Sequence, residues 1–300
     1  MITIAEAAER IRSGELVALP TETVYGLGAN ALDAAAVAKI YALKRRPATS
    51  PLIVHVDSVE MAKSLVREWP EEADRLARKY WPGPLTLVLP KAAAVPDIVS
   101  AGLPTVGIRM PKHPMALELI RLAGVPIAAP SANKFTGLSP TSAQHVREAF
   151  GDAVPVIDGG PCEVGIESTV VAIESGRIHL LRPGMISLMD VERASAPDEG
   201  AAHPAPGMHE RHYSPRTRLL LISDPSQLPD HRGAYLWRTN TGPAARLVRM
   251  PSDPTAYAAR LYGALHELDR EDWPWIAVEM PPKTSEWEAV LDRLRRAATK

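Results

Sequence analysis

A chain of 300 residues, 46% hydrophobic and 23% charged, has room for one large or two moderate domains and the composition of an ordinary globular protein. Its 34 basic and 35 acidic residues nearly cancel, so no global field draws it to nucleic acid or membrane, and a polyanion site has to be a local patch. One cysteine, Cys162, excludes an intramolecular disulfide and a multi-thiolate metal centre.

The residues Met1-Ile2-Thr3-Ile4-Ala5-Glu6 have no basic stretch leading into an apolar core, and no apolar run approaches the roughly 20 residues of a membrane helix. A reducing, cytoplasmic location without membrane contact is therefore expected. The 29 prolines are about twice the usual share and are spread along the chain. With two Phe, the core has to be built from Ala, Leu, Val and Ile.

Thr3 and Glu6 have the spacing of a reciprocal helix cap, and the amphipathic helix they open is predicted to stop near Gly14. Residues 16–19 form a short apolar strand closed by Pro20, and a hydroxyl-rich loop follows. Asp33 caps a helix over 34–43, at whose end Lys44, Arg45 and Arg46 gather. Pro47 keeps Arg46 out of the helical region. Residues 51–56 read as a buried strand, helices follow at 58–66 and 70–80, and a strand at 85–89.

Further strands are predicted at 106–109 and 126–129, with helices at 114–122 and 141–150. Residues 169–173 and 177–181 turn at Gly176 as a hairpin. This alternation argues an α/β domain with a mixed, twisted sheet. Residues 194–217, rich in Pro, Ala, Gly and His, read as a linker. Beyond it, strands at 219–222, 233–237 and 276–279 with helices at 254–270 and 285–298 suggest a small three-layer α/β domain. The predicted organisation is 1–193, a linker at 194–217, and 218–300.

The run Leu19-Pro20-Thr21-Glu22-Thr23-Val24-Tyr25-Gly26-Leu27-Gly28 beside Lys44-Arg45-Arg46 suits a polyanion such as a nucleotide. Each half also has an ordinary reading. The threonines can satisfy local backbone groups in a strand-to-helix connection, and the cations can be a favourable helix C-terminus. His55 is either a buried, hydrogen-bonded histidine or a group turned toward the basic turn. Arg109 ends a strand, where α/β proteins place ligand-binding residues, or else makes a surface ion pair.

The segment Pro130-Ser131-Ala132-Asn133-Lys134-Phe135-Thr136-Gly137-Leu138-Ser139-Pro140-Thr141 leaves a strand and enters a helix with hydroxyls, an amide and a lysine. Such an entrance can hold phosphate. Glycine-rich phosphate loops, a dinucleotide fingerprint, a zinc helix and a nucleophile elbow are all missing from the sequence. His209 and His212 lie in the linker without a cysteine partner and carry no metal expectation. Cys162 reads as a turn or core residue.

These stretches together resemble the YrdC/Sua5 family of threonylcarbamoyl-AMP synthases. The resemblance rests on Pro20-Thr21-Glu22-Thr23-Val24-Tyr25-Gly26-Leu27-Gly28, Lys44-x-Arg46-Pro47, Trp81-Pro82-Gly83-Pro84-Leu85-Thr86 and Val106-Gly107-Ile108-Arg109-Met110-Pro111. It continues through Pro130-Ser131-Ala132-Asn133, Ser139-Pro140-Thr141 and Glu167-Ser168-Thr169-Val170. The phrase from Ala205 to Pro215 looks like the linker of the long, two-domain Sua5 form. The specific motifs cover about residues 5–216.

The resemblance implies a YrdC-like twisted mixed sheet, a linker, and a small Rossmann-like C-terminal domain. It implies that L-threonine, bicarbonate and ATP give threonylcarbamoyl-AMP and pyrophosphate. A separate tRNA threonylcarbamoyl transferase would then modify N6 of the adenosine beside the anticodon, and direct tRNA contact stays open. By motif, Thr23, His55, Arg109, Ser168 and the backbone at Ala129 would surround threonine. Lys44, Arg46, Ser50, Thr105, Ser131, Asn133, Ser139 and Arg182 would line the nucleotide, with Lys44 and Arg46 neutralising phosphates. Tyr213, on the linker, would close over the pocket, and Mg2+ would accompany ATP, held mainly by phosphate and water. Two other readings remain: a related module that adenylates carbamate, and a non-catalytic RNA-binding module.

Overall fold

In the computed structural model, which describes residues 1–188, 191–193 and 212–299, Thr3 and Glu6 make the reciprocal cap that their spacing predicts. Thr3 Oγ1 accepts from Glu6 N, and the Glu6 carboxylate accepts from Thr3 N. They open helix α1 (Ile4–Arg12), followed by strands β1 (Val17–Leu19) and β2 (Gly26–Asn30). Helix α2 (Ala34–Lys44) begins on the Asp33 cap and ends with Arg45 in the left-handed conformation. The chain continues through β3 (Ile53–His55), α3 (Val59–Ser64), α4 (Glu71–Tyr80), β4 (Leu85–Pro90), α5 (Asp97–Ser100) and β5 (Thr105–Arg109). Next come α6 (Pro114–Ala123), β6 (Ile127–Ala128), α7 (Ala143–Phe150), β7 (Thr169–Glu174), β8 (Arg177–Arg182) and β9 (Glu192–Arg193).

These nine strands form one mixed sheet in the order β1-β2-β6-β3-β5-β4-β7-β8-β9. The pairs β3–β5, β4–β7 and β8–β9 are parallel and the rest antiparallel. One face packs against α2 and α4 through residues such as Val37, Ile40, Leu76 and Leu87. Near β1 and β6 the other face is covered by α1 and α6 through Ala8, Ile11, Leu119 and Ile127.

Strand β2 is absent from the sequence expectation. Residues 20–25 therefore make an antiparallel hairpin connection between β1 and β2, not a link from strand to helix. The reason is legible only in three dimensions. A Cβ on Gly28 would stand 2.8 Å from Leu19 Cδ2 and 2.9 Å from Ile127 Cγ2, so glycine sits there for close packing despite its poor strand propensity.

The C-terminal unit contains β10 (Leu219–Ile222), β11 (Ala234–Trp237), β12 (Arg246–Arg249), α8 (Pro254–Asp269), β13 (Ile276–Glu279) and α9 (Glu288–Ala298). Its all-parallel sheet has the order β10-β13-β11-β12. Both helices join one apolar cluster with Leu219, Leu236 and Val278, while the opposite strand face gathers Ile222, Tyr235, Trp275 and Leu228. The unit thus has two main layers, not the three expected, because both helices share a face. Residues 194–211 of the predicted linker, including His209, lie outside the described residues. Among the described residues no helix is long and apolar enough to cross a membrane.

The two units meet through α7 and α8. The rings of His145 and His266 stack with centroids 3.8 Å apart and planes at 18°. Thr141 N donates to His145 Nδ1, His266 Nε2 meets Ser139 O at 3.1 Å, and Arg270 pairs with Glu148 beside them. Burial, with His266 and Arg270 nearby, pushes His145 down to about 3, and burial also lowers His266. Both folded-state values lie below the usual 6.5, so acid protonates the unfolded chain first. This stability is complete above about pH 6.5 and is lost as the pH falls toward 3. Going from pH 7 to pH 5 is expected to cost about 1 kcal/mol in urea unfolding. His145→Asn should flatten that dependence, and equal slopes in the two proteins would contradict the assignment.

Candidate active site

The cleft lies on the sheet face where β3 and β5 run parallel with His55 opposite Arg109 and Ile53 opposite Gly107. Side chains alternate along a strand, so Ile53, His55, Gly107 and Arg109 share one face. Ala129, just past β6, bonds through its N–H to Ile53 O and extends that floor. Gly107 keeps the floor low, since a Cβ there would meet Thr86 Cγ2 at 3.3 Å. Among the described residues, the 20s loop adds Thr21, Thr23 and Val24, and the chain after β6 adds Ser131. The entrance to β7 adds Glu167 and Ser168, and Arg46, Arg182, His212 and Tyr213 complete the walls.

Arg109 is 4% exposed and fixed on three sides. Its Nε donates to Gly83 O (3.3 Å), its Nη1 donates to Thr23 Oγ1 (2.8 Å), and its Nη2 stands 2.7 Å from Glu22 Oε1. The last contact is an ion pair without hydrogen-bond alignment, since both atoms are buried and lack a hydrogen-bond partner. Glu22 is anchored through its other oxygen by Lys112 N at 3.0 Å. Thr21 Oγ1 accepts from Thr23 N and Val24 N and donates to Val24 O, which fixes the turn that presents Thr23.

Beside Arg109, burial and that guanidinium push His55 down to about 3. It is therefore a neutral imidazole at neutral pH, with its buried Nδ1 lacking a partner. Ser168 Oγ lies 2.8 Å from Thr86 Oγ1, and Arg182 donates from Nη2 to Ser168 Oγ and from Nε to Ser168 O.

Arg46 bonds through Nε to Ser50 O (3.2 Å) and through Nη2 to Pro51 O (3.0 Å), with its guanidinium 5.7 Å from the Phe135 ring centroid. Burial lowers it to about 10, which still leaves it cationic at neutral pH. Tyr213 has φ 62° and is 1% exposed, with its hydroxyl lacking a partner. Burial, with Glu167 close by, raises its phenol, so it remains a proton donor.

The structure brings Thr23, His55, Arg46, Arg109, Ala129, Ser131, Ser168, Arg182 and Tyr213 to one cleft. Lys44, Ser50, Thr105, Asn133 and Ser139 are not among its lining residues. Lys44 is directed elsewhere: its buried ammonium donates to Ser131 O (2.6 Å) and to Asn133 O, and approaches Asn133 Oδ1 (3.5 Å). It braces the loop that presents Ser131. Desolvation, with Arg46 nearby, lowers it well below an ordinary lysine.

Asn133 is a second brace, donating to Lys134 O and Gly137 O and accepting from Ser131 Oγ. Ser139 Oγ is committed to Glu167 Oε1 at 2.5 Å. Ser50 contributes its carbonyl to Arg46 and Tyr41. Thr105 lies two residues before Gly107 on the same sheet face and is half-buried.

The sequence motifs assign no ligand role to Glu22 or Glu167, place Thr21 only within the hydroxyl-rich loop, and name His212 only as a linker histidine with no metal expectation. Glu22 had a faint signal, a carboxylate in the hydroxyl-rich loop after β1 with no compensating cation nearby in sequence. Its partner, 87 positions on, is set by the β5 topology and has no local trace. Glu22→Gln would leave the Arg109 charge buried beside a neutral amide. A loss of about 3 kcal/mol in urea unfolding is expected, and a loss below about 1 kcal/mol would contradict a buried pair.

Comparison with known proteins places this chain in a family. A model of the Sua5/YciO/YrdC family, described as telomere recombination, matches residues 9–184. A second, described as threonylcarbamoyl-AMP synthase C-terminal domain, matches residues 173–299. The threonylcarbamoyl-AMP synthase of Pyrococcus abyssi is 42% identical over 97% of this chain and 93% of its own length. That of Bacillus subtilis is 39% identical over 98% and 92%. The crystal structure of P. abyssi Sua5 complexed with L-threonine superposes with a TM-score of 0.91 at 40% identity, covering 98% of this chain and 94% of that one. Escherichia coli YciO, at 21% identity and a TM-score of 0.54, shares the fold over 62% of this chain. The chain belongs to the Sua5/YrdC family of threonylcarbamoyl-AMP synthases, in the two-domain form with the Sua5 C-terminal domain.

Proposed function

We infer that this chain converts L-threonine, bicarbonate and ATP into threonylcarbamoyl-AMP and pyrophosphate. The observation that carries the reading is the convergence of Arg46, Arg109 and Arg182 on one cleft whose bordering carboxylates are already engaged. Glu22 is held by Lys112 N and Arg109, and Glu167 by Ser139, Tyr262 and Arg293. The remaining positive charge calls for an anionic ligand. The family relationship and the threonine complex of the Pyrococcus relative support threonine as one substrate.

In this reading Arg109 takes the threonine carboxylate, with Thr23, Ser168 and neutral His55 around the amino acid. Arg46 and Arg182 take the phosphates, with Ser131 and Tyr213 at the nucleotide. Bicarbonate takes up a proton and releases water to supply CO2, and the threonine amine adds to its carbon and loses a proton, giving a carbamate. A carbamate oxygen attacks the α-phosphorus, the bond to the β-phosphate oxygen breaks, and pyrophosphate leaves. The protein contributes position and charge neutralisation and needs no covalent intermediate.

With the bordering carboxylates engaged, Mg2+ would arrive with ATP and be held by phosphate and water. The product's threonylcarbamoyl group would pass, on a separate transferase, to N6 of adenosine in tRNA.

Pyrophosphate release from ATP tests the reading. It is expected to require both L-threonine and bicarbonate and to fall roughly 100-fold or more in Arg46→Ala. Release without threonine, or no release from folded protein under any condition, would contradict it.

A further inference from the structure

Arg293, on α9 of the C-terminal unit, is among the largest side chains with no exposure among the described residues. It reaches across to the cleft. Its Nε donates to Glu167 Oε2 at 2.7 Å, and its Nη2 donates to Pro183 O at 3.0 Å and more distantly to Glu167 O at 3.4 Å. Nη1 is kept by the neighbouring Asp292 at 2.5 Å. The guanidinium carbon also stands 5.2 Å from the centroid of the Tyr213 ring. Tyr262, on α8, adds a hydrogen bond to Glu167 at 3.2 Å.

Apart from Asp292, each of these contacts falls one residue from a cleft group or on one. Glu167 precedes Ser168, Pro183 follows Arg182, and Tyr213 itself forms a wall. The approach between the units is close here. Gly165 has φ +75°, and a Cβ on it would stand 2.5 Å from Ala259 Cα in α8. The apolar cluster of α8 and α9 also runs on through Val24, Leu138, Ile166 and Tyr213.

We propose that Arg293 is a positioning residue for the reaction: from the C-terminal unit it sets Ser168, Arg182 and Tyr213, so the cleft is complete only when that unit is docked. The fork geometry fits the task. A guanidinium can pair with Glu167, bond the Pro183 carbonyl and face an aromatic ring at once, whereas an ammonium is a point charge that can serve the carboxylate alone.

The proposal rests on the synthase reading above, so wild-type pyrophosphate release dependent on threonine is established first. Its absence would defeat that reading and not the geometry argued here. In active protein, Arg293→Lys is expected to recover most of the melting temperature lost in Arg293→Met. Both variants should nonetheless show kcat reduced about 10- to 100-fold. Arg270→Ala removes the ion pair with Glu148 at the same interface, which does not line the cleft, and should leave kcat within about twofold. Tyr262→Phe keeps the packing and removes one bond to Glu167, so it carries the test if the Arg293 variants do not fold. It should lower kcat several-fold, about 3- to 10-fold, with the melting temperature lowered by no more than roughly 2–4 °C. Recovery of kcat together with stability in Arg293→Lys, or unchanged kcat in Tyr262→Phe, would overturn the proposal and leave Arg293 a structural interface group.

Discussion

Three guanidinium groups buried in one cleft are the constraint around which the rest of this molecule is arranged. A buried cation needs hydrogen bonds to replace water, and here much of that replacement comes from backbone carbonyls. Gly83 serves Arg109, Ser50 and Pro51 serve Arg46, and Ser168 serves Arg182. Carbonyls orient a guanidinium without cancelling its charge. Arg109 also faces a carboxylate, Glu22. The cleft therefore keeps a positive field in a partly desolvated place, where charge interactions are stronger than in water.

The fold serves that field by keeping backbone close to backbone. Gly28 lets β2 lie tightly between β1 and β6, and Gly107 leaves room on the sheet face beside Ile53 and Thr86. Lys44 and Asn133 hold the loop after β6 from behind, so Ser131 faces the cleft without itself being buried in it. On the far side, Glu167 receives donors from both units and links Ser139, Tyr262 and Arg293 into one network. A network satisfied on every side is rigid, and losing a member leaves a buried charge exposed to no solvent.

Much of this was legible in the sequence where the signal is local. The Thr3–Glu6 cap, the Asp33 cap and the alternating elements appear where spacing placed them. Arg109 at a strand end and Arg46 before proline both reach the cleft. What was not legible depends on partners distant in the chain. Strand β2 is glycine-rich because of its neighbours, so propensity hid it. Lys44 and Ser139 have the composition of ligand groups, yet tertiary contacts with Asn133 and Glu167 claim them. Arg293 carried a faint trace, lying three residues after Val290 and four before Ala297 on the apolar face of α9. A cation at that register points to a buried partner, which only the docked units reveal.

Calorimetric titration of two variants asks whether the cleft is divided between an amino-acid end at Arg109 and a nucleotide end at Arg46. L-threonine and ATP are each titrated into wild type, Arg109→Lys and Arg46→Met. Threonine affinity should fall about tenfold or more in Arg109→Lys with ATP affinity held, and Arg46→Met should show the reverse pattern. Equal losses of both ligands in both variants, or unchanged affinities throughout, would contradict a divided cationic cleft.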